Sequence, residues 1–394
     1  MLLISSAYGL AQNPPPSLTT IYNFTGAGDG GYPGRLVIGE DGVLYGTTKN
    51  GGAYGVGTVF SVTPPASPGG AWIETVLYSF RGGSDGASPN SPLLIGSGGA
   101  LYGTTSGGGN YFGTSTGNGT AFSLTPPAPP GGRWTEEVIH TFCVTSSDGC
   151  VPTSGLAVGP EGVLYGTTYE GPNLNGTVYA LVPPESPGAS WTESVIYDTS
   201  GSGGWRPTAG VTVGSGRALY GAAFGEGTGV FTLAPPATPG RAWVETAVNP
   251  VYCTTGVVIG AGGVLYGASP DVVFSLAPPA SPGGAWTYAV LHSFPCGSPT
   301  SCGESIPGPL TIGQNGTLYG TTGSGGSPSL AGTAYALKPP ASPGGQWTGT
   351  LLHTFAGSDG AAPTGLVIGS GGVLYGTTTS GGAYGAGTVF ALSE

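Results

Sequence analysis

Leu44-Tyr45-Gly46-Thr47-Thr48 is the stretch that decides the fold, because its first three residues return six times along 394 residues. Leu-Tyr-Gly starts at Leu44, Leu101, Leu164, Leu219, Leu265, Leu318 and Leu374, so successive copies lie 57, 63, 55, 46, 53 and 56 residues apart. A repeat of that period marks a propeller or array, in which each unit is one supersecondary element stacked on its neighbours. Outward from the motif, residues 34–80 form one clean unit. Leu36-Val37-Ile38-Gly39 is a first strand, and Val43 to Thr47 a second, entered through Asp41-Gly42. Thr58 to Val62 is a third, and the turn from Pro64 to Gly70 leads into a fourth, Trp72 to Phe80. Short strands separated by regular turn signals make a meander, the four-stranded blade of a propeller.

The composition agrees. Gly and Pro number 80 and 37, and they sit at fixed offsets between apolar runs, which is turn chemistry. No stretch holds a 3.6-residue apolar period, so the chain is expected to be all-β. Its ends decide closure. Thr20-Ile21-Tyr22-Asn23-Phe24 matches the end of a fourth strand, whereas Gly387 to Leu392 matches a third. An N-terminal strand that completes the last blade satisfies both, and a closed ring leaves no open sheet edge. The expected fold is a seven-bladed β-propeller of four-stranded blades over residues 13–394.

Leu-Tyr-Gly-Thr-Thr, followed by Gly-Gly-Ala-Tyr-Gly-Val-Gly-Thr-Val-Phe at Gly51 to Phe60 and nearly repeated at Gly381 to Phe390, resembles the GloVer tandem-repeat family. The resemblance implies a bacterial extracytoplasmic repeat protein, and it carries over no activity, catalytic residue or cofactor. Met1 to Gln12 is similar to the back half of a secretory signal peptide. No later run approaches the length of a membrane helix. Cys143 and Cys150 flank one loop, and Cys296 and Cys302 flank the corresponding loop of another unit. Both spacings suit disulfides and an oxidising compartment, with Cys253 left as a buried thiol.

With a net charge of −11 and two lysines, Lys49 and Lys338, the chain has no basic patch for nucleic acid. His140, His292 and His353 share the fourth-strand slot that holds Tyr22, Tyr78 and Tyr197 elsewhere, which makes it a packing slot. Strict alternation puts Trp72, Glu74, Val76, Tyr78 and Phe80 on one face. Glu74, Glu136, Glu193 and Glu245 are then edge charges that discourage aggregation, with no carboxylate pair brought together. The Gly of each motif is expected to let a neighbouring blade approach. Asp29, Asp85, Asp148 and Asp359 precede Gly in the loops after fourth strands. They are weighed as turn residues first and as a partial ring of divalent-cation ligands second.

Loops after second and fourth strands emerge on one face, vary in length and carry aromatics: Tyr32, Tyr54, Tyr111, Phe112, Tyr169, Trp205 and Tyr384, with Arg206 among them. Flat rings with polar tips on a rigid scaffold suit sugars or protein hot spots. The sequence therefore points to an exported, monomeric, non-enzymatic propeller that binds a glycan or protein there, without cofactor or metal. The alternatives are a carbohydrate-active hydrolase or lyase using the loop aspartates, and a purely structural surface repeat.

Overall fold

A computed structural model describes residues 16–393, apart from 68, 90, 110–117, 129–130, 146, 153, 172–174, 187–188, 199–205, 225–228, 239–240, 252, 282, 295–308, 327 and 343. The strands form seven antiparallel sheets, each one blade of a propeller. In blade 1 the order from axis to rim is Gly31–Pro33 with Val37–Ile38, then Leu44–Asn50, Thr58–Thr63 and Ile73–Ser79. Blade 7 is Ala361–Ile368, Leu374–Ser380 and Thr388–Ser393, completed on the outside by Ser17–Asn23. The expected closure is thus formed, and helical structure among the described residues is limited to single 3₁₀ turns. No helix among them is long and apolar enough to cross a membrane.

The motif is built to pack. Its Leu is buried in all seven copies, 0–2% exposed. Leu44 packs with Phe24 and Val389 of blade 7 on one side. Tyr45 meets Trp134 of blade 2 on the other, with ring centroids 6.3 Å apart. The same edge-on Tyr–Trp contact recurs as Tyr102–Trp191, Tyr165–Trp243, Tyr220–Trp286, Tyr266–Trp347 and, across the closure, Trp72–Tyr375. Each such pair contributes about 1 kcal/mol beyond the area it buries.

The glycine serves its own blade, which corrects the expectation of a neighbour's close approach. Gly46 lies opposite Phe60 in the register of blade 1, and a Cβ there would stand 2.6 Å from Phe60 Cζ. Gly103, Gly221, Gly267 and Gly376 face Phe122, Phe231, Phe274 and Phe390 in the same way, and Gly166 and Gly320 face Tyr179 and Tyr335. A third-strand ring lies flat over the second strand, and only glycine leaves room for it.

The threonines bind strand to strand and blade to blade. Thr48 Oγ1 and Thr58 Oγ1 are 2.8 Å apart within blade 1. Thr47, Thr104, Thr167, Thr321 and Thr377 each donate to a carbonyl near the inner strand of the next blade, Thr377 to Gly34 at 2.7 Å across the closure.

Every outer strand contains one β-bulge, at Ile21, Leu77, Ile139, Ile196, Val248, Leu291 and Leu352. Val76 pairs with Phe60 and Tyr78 with Val59, leaving Leu77 as the extra residue. A bulge offsets alternation by one, so the single face expected for Trp72 to Phe80 is split. Trp72 packs on Tyr375 of blade 7, whereas Phe80 packs on Phe122 of blade 2, centroids 5.0 Å apart.

The loop after the fourth strand of blade 2 is closed by the Cys143–Cys150 disulfide. Cys296 and Cys302 lie outside the described residues. Cys253 is a buried thiol that donates to Gly256 O at 3.3 Å.

The glycine–ring packing predicts that Gly46→Ala destabilises the protein by about 1–3 kcal/mol, the usual cost of overpacking. Adding Phe60→Leu should recover part of that loss in thermal unfolding. An equal loss with and without the second change would show that the ring is not what excludes a side chain.

Candidate functional site

The inner strands begin at the channel mouth with an unusual backbone. Tyr32, Ser88, Val151 and Ala362 each precede a proline and adopt φ of 53–57°. Left-handed backbone of this kind persists only where its surroundings hold it. Here each N–H donates to a carbonyl of the preceding blade: Tyr32 to Ala386 at 2.9 Å, and Ser88 to Val56, Val151 to Asn118 and Ala362 to Ala331 at 2.8 Å. The following proline packs on a glycine of that blade, as Pro33 does on Gly387. The conformation belongs to the scaffold, and the side chain is free to vary. In blade 1 it is a tyrosine, 49% exposed.

Tyr32 lines a cavity of about 450 Å³ together with Arg35, Lys49, Pro92, Pro309, Thr364 and Thr379. Five of these residues also line an adjoining cavity of about 540 Å³ to which all seven blades contribute, so Arg35 stands between the two. Arg35 Nη2 donates to Thr311 Oγ1 at 2.8 Å and to Leu366 O at 3.4 Å, tying blade 1 to blades 6 and 7. Its Nε is buried without a partner. Desolvation lowers the guanidinium to about 10, so it stays charged at neutral pH. At the mouth the two cations, the Tyr32 ring and the hydroxyls of Thr364 and Thr379 are set among prolines and a glycine.

Around this mouth the loops present further rings. Tyr54 and Tyr384 sit at the tips of matching loops in blades 1 and 7 and are 57% and 65% exposed. Arg81 lies over the Tyr54 ring at 5.9 Å, and Arg206 over Tyr169 at 4.6 Å. Of the residues expected to bind, the structure gathers Tyr32 into the mouth cavity and stacks Tyr169 with Arg206. Tyr111, Phe112 and Trp205 lie outside the described residues. That Arg35 and Lys49 share this cavity depends on the inner and second strands of one blade meeting at the axis.

Asp29, Asp85, Asp148 and Asp359 line neither cavity. Each accepts a backbone N–H of its own turn, from Thr25, Arg81, Val144 and Ala356 respectively, at 2.6–3.2 Å. Each also meets the fourth-strand Tyr or His: Tyr22 donates to Asp29 at 3.0 Å, Tyr78 to Asp85 at 2.5 Å, and His353 Nε2 lies 2.8 Å from Asp359.

The glutamates complete these groups, which corrects their assignment as isolated edge charges. Tyr22 also approaches Glu74 Oε2 at 3.4 Å and Tyr78 approaches Glu136 Oε2 at 3.5 Å, each across a blade junction. The bulge makes this possible, since Glu74 faces blade 7 while Tyr78 of the same strand faces blade 2. Burial, then the neighbouring Asp, pushes Glu74, Glu136 and Glu193 up to about 7.

Residues 8–179 match the family model described as the Gloeobacter/Verrucomicrobia repeat, which bears out the resemblance carried by Leu-Tyr-Gly-Thr-Thr. No curated protein matches the chain in sequence. Among solved structures, the periplasmic gluconolactonase of Pseudomonas aeruginosa is 16% identical, with 89% of this chain and 98% of that chain covered and a TM-score of 0.57. A protein from Lactobacillus plantarum is 14% identical over 88% and 89% of the two chains, TM-score 0.58. A putative 6-phosphogluconolactonase from Bacteroides uniformis is 12% identical over 88% and 89%, TM-score 0.53. At these identities the likeness is one of fold.

The shared acid groups set a pH dependence. Glu74 and Glu136 titrate near 4.5 when unperturbed and near 7 in the fold. A raised carboxyl stabilises the fold fully below the unfolded value, and that contribution is lost as pH rises through the folded value. Thermal stability attributable to these residues should therefore fall between pH 4.5 and 7 and level off above. Glu74→Gln/Glu136→Gln should flatten the fall; an unchanged pH profile would remove these carboxyls as its source.

Proposed function

We propose that this protein is an exported, monomeric and non-enzymatic propeller that binds an acidic glycan at the channel mouth and variable-loop face. The observation that carries the reading is the exposed Tyr32 ring in one cavity with Arg35 and Lys49, in a chain whose net charge is −11. A tyrosine face covers the apolar face of a sugar ring, and a guanidinium and an ammonium pair with carboxylate or sulfate groups on it. Tyr54 and Tyr384 extend the surface with two more exposed rings. The hydrolase alternative relies on the loop aspartates, and those are engaged in turns and blade junctions. Export is supported by the Cys143–Cys150 disulfide and by the periplasmic location in the name of the Pseudomonas aeruginosa neighbour.

Screening the protein against neutral and acidic oligosaccharides tests the proposal. Binding should favour the acidic set and weaken with salt. Each of Tyr32→Ala, Tyr54→Ala and Tyr384→Ala should cost about 1 kcal/mol, roughly fivefold in affinity, and Lys49→Ala should weaken the preference for acid. Binding untouched by all four changes would overturn the assignment of the face. Turnover of a polysaccharide, abolished by one Asp→Asn change among Asp29, Asp85, Asp148 and Asp359, would replace it with the hydrolase.

A further inference from the structure

Four of the blade junctions form an internal series in which one position changes at a time. Two junctions hold Tyr, Asp and Glu: Tyr22 with Asp29 and Glu74, and Tyr78 with Asp85 and Glu136. There the phenol hydroxyl occupies the middle and donates toward both carboxylates. The junction of blades 6 and 7 holds His353 and Asp359 in direct contact at 2.8 Å. In sequence register, Leu18 takes the glutamate's place. Only the junction of blades 2 and 3 combines His140, Asp148 and Glu193.

There the geometry differs from both relatives. Imidazole is shorter than phenol, so no hydroxyl reaches the middle. His140 Nε2 stands 3.4 Å from both Asp148 oxygens. Glu193 Oε1 is buried without a hydrogen-bond partner, as Oε1 of Glu74 and Glu136 is too, but Glu193 has no counterpart to the phenol that meets Oε2 of Glu74 and Glu136. One donor atom from each of the three residues lies within 4.8 Å of the others, the one such group of three among the described residues. The Asp148 side chain is only 6% exposed and that of His140 20%. The Val144 N–H fixes Asp148 at 3.2 Å, Phe142 packs edge-on against the His140 ring at 4.7 Å, and the Cys143–Cys150 disulfide closes the loop that carries Asp148.

We propose that His140, Asp148 and Glu193 bind one divalent transition-metal ion, with Zn²⁺ as the fitting probe, in the space a tyrosine hydroxyl fills at the sister junctions. One imidazole nitrogen and two carboxylate oxygens are ligands that suit Zn²⁺, and binding requires the three to close on the ion at about 2.0–2.2 Å. The ion places positive charge between the Asp148 and Glu193 carboxylates and staples blade 2 to blade 3. The site lies at the outer strands, apart from the mouth, and is independent of glycan binding.

Tag-free, chelator-treated protein titrated with Zn²⁺ by calorimetry, with thermal unfolding in parallel, tests the site. The expected result is uptake of one equivalent and a rise in Tm. His140→Tyr, which recreates the sister junctions, should abolish both effects. Glu193→Gln, which preserves shape, should weaken uptake at least tenfold, and His353→Tyr should leave it unchanged. If His140→Tyr does not fold, Glu193→Gln alone decides. Failure to take up Zn²⁺, or uptake indifferent to both His140→Tyr and Glu193→Gln, would overturn the proposal.

Discussion

The outermost strand of each blade carries one aliphatic residue more than its partner strand, and the contacts of that strand follow from it. A strand without the bulge would point Trp72, Glu74, Tyr78 and Phe80 toward one neighbour. With Leu77 looped out of the register, the first two residues serve blade 7 and the last two serve blade 2. Every blade therefore both receives and donates an aromatic or polar group at its rim. The ring closes because the N-terminal strand obeys the same rule: Ile21 is its bulge, and Tyr22 reaches Glu74 of blade 1.

Inside that rim the repeat motif satisfies a second constraint. A third-strand ring lies over the second strand of each blade, glycine admits it, and buried leucine and threonine hydroxyls join strand to strand and blade to blade. These demands recur once per blade and explain why Leu-Tyr-Gly is the same in all seven copies. Function has room only where the copies are free to differ. The pre-proline position is an example, since its backbone is held by the preceding blade whatever its side chain, and Tyr32 uses that freedom at the channel mouth. The slot shared by Tyr22, Tyr78, His140 and His353 is another.

Much of the architecture was legible in the sequence because it rests on local signals. Glycine turns, strand lengths and the mismatch of the two termini gave the blade, the count and the closure. The bulges were not legible, since an aliphatic residue in an apolar strand leaves no mark on the pattern. Missing them misplaced Glu74 and Tyr78 on one face and hid the meeting of Asp29 with Glu74, residues from different blades. The ring that occupies the space at Gly46 was also invisible, because Phe60 looks like any core residue until the register is known. Of the site, Tyr32, Tyr54, Tyr169 and Tyr384 could be singled out as loop aromatics. That Arg35 and Lys49 share a cavity with Tyr32 required the fold.

The two-faced outer strand can be measured directly by cross-linking cysteine pairs with a short bifunctional thiol reagent. Tyr22→Cys/Glu74→Cys probes the contact with blade 7, and Tyr78→Cys/Glu136→Cys probes the contact with blade 2. The bulge at Leu77 requires both pairs to cross-link within one chain, with an efficiency far above that of a pair placed on distant blades. Strict alternation would bring together only one of the two, and that outcome would contradict the account.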